Sequence, residues 1–432
     1  MSQPGSFTTL DEWLPWLETL SPREIVLGLE RVQTVLAVLD LPRPGIVINV
    51  AGTNGKGSSV AMLEALLGNA GHRTGCFTSP HLLRYNERIR IGGQAAGDTA
   101  IISAFERVQA ARRDVPLTYF EFGTLAALVA FADAAADTLI LEVGMGGRLD
   151  AVNAVEPDGC LITNIALDHT AWLGTDIESI AREKAGIMRA AKPVVFGAPD
   201  CPDAIRRYAS EIGADLLVAS TDFDYAIDDD DSAGWSWYGR QEKLTALRRL
   251  ALAGEVQLRN AAAVLALIEA MGLAACLTTA QVNDSIGRLE LPGRLQIVKS
   301  RQTWLLDVAH NPAAAGALGD SLAIVARNSR TTAVIGMLSD KDVAGVVEPL
   351  AGQVDAWIAV TGEGARAARA DILAQQIANS CLRPCLIAAA ISDALDLAAR
   401  RSAPNDVILV TGSFHVVGPA LGWLQSQQLI RQ

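Results

Sequence analysis

The sequence has no pair of cysteines at the C-x-x-C spacing that zinc and redox sites use. Its six cysteines are scattered along the chain, at positions 76, 160, 201, 276, 381 and 385. This distribution argues against a cysteine-based metal or redox centre. We therefore expect all six side chains to be buried, reduced thiols.

Positive charge and long apolar runs are also scarce. The chain carries 36 Lys and Arg against 48 Asp and Glu, a formal net charge of −12. Nonspecific nucleic-acid binding needs a basic face, so this balance argues against it, although a local basic pocket for a small anion is still compatible. No apolar run approaches the roughly 20 residues of a spanning helix, and residues 1–13 lack the pattern of a secretory signal. We expect a cytoplasmic protein without membrane or nucleic-acid partners.

The length of 432 residues, half of them hydrophobic, predicts a globular chain of two or three domains. The best boundary is the segment Glu-Leu-Pro-Gly-Arg at 290–294, where a helical pattern gives way to proline and glycine. We place the boundary between residues 292 and 293. Strands and helices alternate again beyond it, with loops at 309–312, 336–342 and 411–415 following strands. This pattern predicts a second, smaller α/β domain.

The most informative stretch is IVINVAGTNGKGSSV, residues 46–60, which reads as a strand, a glycine-rich loop and a helix. Such a loop points backbone N–H groups at phosphates, while its lysine, here Lys56, adds a positive charge. The match is a variant, because Val50 stands where the first glycine belongs and Gly57 where a serine or threonine belongs. Ser58 supplies the hydroxyl that can ligate magnesium. The alternative interpretation is a glycine turn that binds nothing.

Carboxylates and a histidine follow two further predicted strands. Glu142 ends a buried strand that a glycine-rich turn and Asp150 follow, and His169 follows the strand predicted over 159–164. Open α/β sheets bind ligands at the carboxyl ends of their strands, where a magnesium ligand is also wanted. A lone histidine is more often structural. Lys184 lies in a helix predicted over 175–190, where the sequence alone favours an exposed lysine paired with Glu178 or Glu183.

The stretch 79–93, SPHLLRYNERIRIGG, shows no regular periodicity before residue 88 and is rich in basic side chains. It is either a solvated basic loop or a loop that closes over an anionic ligand. We further predict helices within residues 9–39, the second starting at Ser21-Pro22. The acidic run at 228–231 is predicted to be a solvated turn in a minor β-hairpin.

Seven motifs together resemble the folylpolyglutamate synthase/dihydrofolate synthase family. They are AGTNGKGS, SPHLLRYNERIRI, LEVGMGGRLDA, IALDHTAWLG, REKAGI, the Gly-Arg pair at 293–294, and LDVAHNP. They cover nearly the whole chain and keep the family order. The Mur ligases of peptidoglycan synthesis are similar in architecture, but they typically carry lysine followed by threonine in the loop, whereas here Lys56 is followed by Gly57 and Ser58.

The resemblance implies a P-loop Mur ligase-like N-terminal ATPase domain plus a smaller Rossmann-like α/β C-terminal domain. Residues 1–292 would bind ATP and the pterin or folate, and residues 293–432 would form the glutamate-ligase domain. The implied reaction is an amide ligation in which ATP activates a carboxylate as an acyl phosphate that the amino group of L-glutamate attacks. The resemblance also implies Mg²⁺ at two sites and a monomeric protein. Its small-molecule partners would be ATP, L-glutamate, dihydropteroate and reduced folates.

The resemblance also implies roles for individual residues. The catalytic set is Lys56, Glu142, His169 and Lys184. The ATP-binding set is Gly52, Thr53, Asn54, Gly55, Lys56, Gly57, Ser58, Asn260, Arg294, Asp307 and His310. Magnesium ligands would be Ser58, Ser79, Glu142, His169 and, as a carbamate, Lys184. The pterin or folate would meet Arg84, Arg88, Phe120, Glu121, Asp150 and Ala151, and the incoming glutamate would meet His310 and Ser413.

Three other functions stay open from the sequence. A monofunctional folylpolyglutamate synthase would not use dihydropteroate. A Mur-type cell-wall ligase would turn over ATP with a UDP-linked peptide. A nucleotide-sensing switch would bind ATP without glutamate-dependent release of ADP.

Overall fold

A computed structural model describes residues 7–21, 25–228, 234–251 and 254–430. The chain divides into two compact units. The first comprises residues 1–79, 85–249 and 258–288, and the second comprises residues 80–84, 250–257 and 289–432. No helix among the described residues is long and apolar enough to cross a membrane.

The first unit is built on an eight-stranded sheet and a small three-stranded one. The strands of the large sheet are β1 Ile46–Ala51, β2 Thr74–Phe77, β3 Ile89–Ile91, β4 Gln94–Ala95, β5 Thr138–Glu142, β6 Gly159–Ile162, β7 Pro193–Phe196 and β8 Asp215–Val218. Their order is β4-β3-β2-β5-β1-β6-β7-β8, and neighbouring strands are parallel except that β3 is antiparallel to both β2 and β4. The antiparallel strands β9 Asp224–Ile227, β10 Trp235–Tyr238 and β11 Lys243–Leu247 form the small sheet.

Helices surround the large sheet. They are α1 Leu10–Glu18, α2 Glu30–Leu39, α3 Lys56–Asn69, α4 Asp98–Arg112, α5 Tyr119–Asp133, α6 Thr170–Leu173, α7 Ile177–Ala185, α8 Asp203–Ile212, α9 Glu255–Ala270 and α10 Thr279–Ser285. The central strand β1 is buried on both faces, as its apolar sequence predicts for a parallel strand covered by helices. Val47 and Ala51 pack in one core with α4 and α5, while α3 contacts β1, β2 and β5. The phosphate-loop motif begins at the carboxyl end of β1.

The second unit has a six-stranded sheet between two helical layers. Its strands are β12 Gln296–Lys299, β13 Thr303–Leu306, β14 Thr331–Ile335, β15 Ala356–Ala359, β16 Cys385–Ile387 and β17 Val407–Thr411, in the order β12-β13-β17-β14-β15-β16. Its helices are α11 Pro312–Val325, α12 Val343–Val347, α13 Ala370–Cys381, α14 Ile391–Arg401 and α15 Phe414–Ser426. Alternate residues of the strands enter two separate cores, as the period of two requires.

The structure corrects three sequence predictions. The second helix begins at Glu30 and not at Ser21, because residues 25–29 are not helical and Gly28 adopts φ +141°. Residues 22–24 lie outside the described residues. Strand β12 was not predicted; it is a short antiparallel edge strand without clear alternation. Three cysteines, Cys201, Cys381 and Cys385, are partly exposed, although all six are free thiols as predicted.

The minor hairpin predicted around the acidic run is confirmed for its strands. Strands β9 and β10 pair in antiparallel register on either side of that run. Residues 229–231 of the acidic run lie outside the described part of the chain.

Candidate functional site

The loop between β1 and α3 has a backbone that only glycine fits at two positions. Gly52 adopts φ +143°, and a Cβ there would lie 1.8 Å from Oγ1 of Thr163. Gly55 adopts φ +83°, and a Cβ there would lie 2.7 Å from Oδ1 of Asn260. A side chain at either position would therefore be strained and would also collide with its neighbour. Asn260, predicted to meet the adenine, is thus placed directly against the loop.

Side chains at the end of β6 hold the middle of this loop. The hydroxyl of Thr163 donates to the Asn54 carbonyl at 2.6 Å, and Nδ2 of Asn164 donates to the same carbonyl at 3.1 Å. The Asn54 amide donates in turn to Oδ1 of Asn164 at 3.1 Å. Neither residue was predicted to support the loop. Their position at the end of the strand predicted over 159–164 was the signal that could have found them.

Lys56 and Ser58 begin α3, next to this loop. Nζ of Lys56 donates to the carbonyls of Gly52 and Thr53 at 3.2 and 3.3 Å, so the ammonium lies over the loop. Ser58 is 1% exposed in the first turn of the helix. The N-terminal end of a helix carries partial positive charge, so the lysine, the helix end and the loop amides all favour an anion here.

Lys184 is buried, which rules out the exposed helix lysine that the sequence alone favoured. It is 5% exposed, and its Nζ donates to the Gly52 carbonyl at 2.9 Å. Burial, with the charge of Lys56 nearby, lowers the pKa of Lys184 to about 7. Glu183 is instead paired with Arg148 at 2.8 Å. The amine of Lys184 is therefore poised to be neutral near physiological pH.

Glu142 and His169 also lie at the carboxyl edge of the sheet, as predicted. Glu142 is 4% exposed, pairs in register with Val50 of β1, and accepts a hydrogen bond from the Ser79 amide at 3.0 Å. His169 adopts the left-handed conformation at φ +51°, and its amide donates to Asp168 at 2.8 Å. Ser79 therefore touches the predicted metal ligand Glu142 through its backbone.

These donors fit a magnesium ion better than a softer metal. No group of three or more His, Cys, Asp and Glu side chains is clustered for a metal within the described ranges. Magnesium is usually held by one or two carboxylates together with water and phosphate oxygens, which the buried Glu142 carboxylate and Ser58 hydroxyl suit. A protonated Lys184 would repel the ion, whereas a carbamate on the same nitrogen would attract it.

Three of the predicted acceptor-binding residues lie together at the turn after β5. The Asp150 carboxylate accepts from the amides of Met145 at 2.9 Å and Val152 at 3.1 Å. Burial raises the pKa of Asp150 to about 6. A Cβ at Gly144 would lie 2.6 Å from the ring of Phe120, so this ring covers the same turn. Ala151, 4% exposed, follows Asp150 directly.

Glu121 and Arg88, also predicted at the acceptor, have partners within the first unit. The Glu121 carboxylate caps α5 by accepting from the Thr118 amide at 2.8 Å and pairs with Arg31 at 2.7 Å. The Arg88 guanidinium carbon lies 5.6 and 5.4 Å from the ring centres of Tyr85 and Tyr119. Arg31 was missed, because its partner is 90 residues away in the sequence.

The remaining predicted residues, Arg84, Arg294, Asp307, His310 and Ser413, belong to the second unit. Asp307 accepts from the amides of Leu295 and Ala309, both at 2.8 Å, and burial raises its pKa. The Arg294 guanidinium carbon lies 4.8 Å from the ring centre of Phe414. Nδ1 of His310 lies 2.9 Å from the Val308 carbonyl, Ser413 precedes α15, and Arg84 is exposed.

Comparison with known proteins places this geometry in a family. The model of the Mur ligase middle domain matches residues 50–268, and that of the Mur ligase glutamate ligase domain matches residues 293–414. The dihydrofolate synthase/folylpolyglutamate synthase of Escherichia coli strain K12 is 43% identical over 415 residues, covering 96% of this chain and 95% of that protein.

Solved structures agree in both sequence and fold. The structure of E. coli FolC in complex with DHPP and ADP superposes with a TM-score of 0.92 at 41% identity, covering 99% of this chain and 100% of that one. The bifunctional enzyme from Yersinia pestis complexed with AMPPNP and Mn ion has a TM-score of 0.88 at 41% identity, covering 98% and 100%. The chain therefore belongs to the dihydrofolate synthase/folylpolyglutamate synthase family of Mur ligases.

Proposed function

We propose that the chain joins L-glutamate to dihydropteroate, forming dihydrofolate, and also to reduced folates, forming folylpolyglutamates. Each round would consume one ATP and pass through an acyl phosphate. The observation that carries the proposal is the meeting of Lys56 and Lys184 at the Gly52 carbonyl of the phosphate loop. The family membership and the DHPP and ADP of the E. coli structure support the same reaction.

The reaction would proceed in two steps. An acceptor carboxylate oxygen attacks the γ-phosphorus of ATP, the bond to the β-phosphate oxygen breaks, and ADP leaves. The amino group of L-glutamate then attacks the acyl carbon, loses a proton, and inorganic phosphate leaves. Lys56 and the loop amides stabilise the charge on the transferring group, and the hydrogen bonds to Asn54 keep the loop in that shape beforehand.

Two magnesium sites are part of the proposal. Ser58 would hold one ion, while Glu142, His169, Ser79 and carbamylated Lys184 would lie at or near the second. When bound, such ions neutralise phosphate charge as it develops. The Mn ion in the Y. pestis structure supports a divalent metal.

Lys184 would act as a carbamate. A neutral amine adds to carbon dioxide and releases a proton, and the resulting group carries a negative charge. The burial that lowers the pKa of Lys184 to about 7 leaves much of this amine neutral at physiological pH. Lys184 would thereby change from a cation that repels metal into an oxygen ligand.

The two acceptors would share one pterin position. Asp150 can accept hydrogen bonds from the pterin amino-pyrimidinone, and Phe120 supplies an apolar wall on the same turn. A folate also brings an α-carboxylate, for which Arg84 and Arg88 are the proposed cations. We further propose that ATP is contacted by Asn260, Arg294, Asp307 and His310. The glutamate would be contacted by His310 and Ser413. The protein would be a cytoplasmic monomer.

Coupled measurement of ADP release tests this function. The purified chain is given ATP with dihydropteroate, tetrahydrofolate or a UDP-linked peptide, each with and without L-glutamate. We expect glutamate-dependent ADP release with the first two acceptors only. Release with tetrahydrofolate alone would indicate a monofunctional synthase, release with the peptide a cell-wall ligase, and ATP binding without turnover a nucleotide switch.

A further inference from the structure

The turn after β5 contains a buried amide that the proposed reaction leaves without a role. Asn153 is 5% exposed and lies in the 3₁₀ turn Ala151–Ala154. Its Nδ2 donates to the carbonyls of Arg148 at 3.1 Å and Gly186 at 3.0 Å, and its Oδ1 accepts from Arg189 at 3.2 Å. One side chain thus joins this turn to Gly186, the residue that follows α7.

The same two elements meet at two further points. The Arg148 amide donates to the Glu183 carbonyl at 2.8 Å, and the two side chains form an ion pair at 2.8 Å. A Cβ at Gly147 would lie 2.8 Å from the Glu183 carbonyl oxygen and 2.9 Å from that of Lys184. We call these contacts the turn–helix clamp, formed by Gly147, Arg148 and Asn153 against residues 183–186.

The clamp connects two groups to which the proposed reaction gives separate roles. The helix side carries Lys184, whose Nζ reaches the Gly52 carbonyl at 2.9 Å. The turn side carries Asp150, whose carboxylate is fixed by two backbone amides of the same turn. A side chain follows its backbone, and a displacement of about 1 Å in an active site can cost about 100-fold in rate.

The amide group of asparagine suits this position chemically. Its two N–H groups point at two carbonyls, while its oxygen receives a guanidinium. Aspartate has the same shape but no N–H donor, and leucine has neither donor nor acceptor. Either replacement removes the shorter of two side-chain hydrogen bonds to the buried Gly186 carbonyl, the other being that from Nη1 of Arg189 at 3.3 Å.

We propose that Asn153 is a positioning residue of the ligase. By donating to the carbonyls of Arg148 and Gly186, it fixes the turn after β5, which carries Asp150, against α7, which carries Lys184. It does not touch the reacting atoms. The inference rests on the proposed function, because it takes Asp150 as part of the acceptor site and Lys184 as part of the catalytic site.

The test compares Asn153→Leu and Asn153→Asp with Gln302→Leu in the full chain. Gln302 is a matched control, being 6% exposed and donating to the carbonyls of Ala399 at 3.0 Å and Ser402 at 3.2 Å in the second unit. The free energy of unfolding, kcat, and KM for dihydropteroate and ATP are measured. The carbamate signal after addition of ¹³C-bicarbonate, recorded by NMR without substrates, provides a readout besides activity.

We expect both Asn153 variants to lose about 10- to 100-fold in kcat, the range typical of residues that orient metal ligands, and to lose part of the carbamate signal. Gln302→Leu should lose comparable stability but keep both kcat and the signal. A kcat and carbamate signal in Asn153→Leu that match those of Gln302→Leu would overturn the inference. If Asn153→Leu does not fold, Asn153→Ser, which retains one donor, is judged by the same comparison.

Lys184→Ala separates this inference from the proposed function. If Lys184→Ala is inactive and Asn153→Leu behaves like Gln302→Leu, only the role of Asn153 is wrong. An active Lys184→Ala would contradict both the role of the lysine and the positioning role of Asn153.

Discussion

Lys184 is the residue whose chemistry depends most on its surroundings. Its charged form loses water on burial and lies within the field of Lys56, so its pKa falls to about 7. A lysine that the polar pattern of its helix would place in solvent thereby becomes a reactive amine beside a phosphate loop. The Gly52 contact cannot be seen in the sequence, because it joins two residues that are 132 positions apart.

We predict that Lys184→Ala lowers the rate of ligation by at least about 100-fold, because it removes a group that acts on the transferring phosphate or its metal. A short added carboxylic acid should restore part of the activity. At pH values below about 7, where the amine becomes protonated, bicarbonate should activate the wild-type chain less. Lys192→Ala is the control, since Lys192 is partly exposed and pairs with Asp158 at 2.9 Å. Full activity of Lys184→Ala would contradict the role.

Asp150 gives a prediction about stability and pH. Its pKa is raised from 3.8 to about 6 by burial, so the folded chain binds more protons than the unfolded chain between these values. The contribution of Asp150 to the free energy of unfolding therefore falls as pH rises from 4 to 6. Above pH 6 the whole destabilising effect of burying the charged carboxylate is present. Relative to wild type, Asp150→Asn should gain between about 1 and 3 kcal/mol in unfolding free energy from pH 4 to pH 7.

Chemical denaturation of both proteins at the two pH values checks this prediction. The difference between the proteins matters and not either value, because other titrating groups contribute equally to both. A difference that does not change with pH would mean that Asp150 has an ordinary pKa in the folded chain.

At the scale of elements, the phosphate loop is the part that its sequence determines most directly. Glycines at 52 and 55 mark two backbone positions with φ of +143° and +83°, and the apolar run before them is the buried strand β1. The strand, loop and helix could be predicted because these signals are local. The strand predicted over 159–164 placed Thr163 and Asn164 near the loop, but their bonds to the Asn54 carbonyl could not be predicted, because a polar side chain at a strand end has many possible partners.

We predict that Gly52→Ala loses ATP binding and costs about 2 to 5 kcal/mol in unfolding free energy. The added methyl group would be strained and would collide with Thr163. Gly68→Ala is the control within the same loop–helix element, because a Cβ at Gly68 meets nothing within 4 Å. It should be stabilising by up to about 1 kcal/mol and leave ATP binding unchanged. Calorimetric titration with ATP and denaturation curves measure both effects; tight ATP binding by Gly52→Ala would refute the prediction.

At the scale of the whole molecule, two α/β units account for the alternation of strands and helices along the chain. The second sheet was predicted from its apolar strands, whereas its edge strand β12 was not. Pro80–Arg84 and Leu250–Gln257 cluster with the second unit although both precede residue 293 in the sequence. The boundary at 292/293 and the assignment of a substrate to each domain stay predictions.

We expect the two acceptor reactions to respond differently to substitution within one chain. Asp150→Ala should mainly impair the dihydropteroate reaction, because dihydropteroate is held largely through its pterin, whereas a folate is also held through its α-carboxylate. Replacing both Arg84 and Arg88 by Gln should mainly raise KM for the folate, whose α-carboxylate loses its proposed cations. Steady-state kinetics with each acceptor measure the two effects, and equal losses in both reactions would contradict this division of roles.

We expect this one chain to perform both ligations at the phosphate-loop site. Mass spectrometry can identify the products formed by the purified chain with ATP, L-glutamate and either dihydropteroate or tetrahydrofolate, with Lys56→Ala as the blank. We predict that each acceptor gains a glutamyl residue with the wild-type chain and that neither product forms with Lys56→Ala. Glutamylation of tetrahydrofolate alone, or product formation by Lys56→Ala, would contradict this expectation.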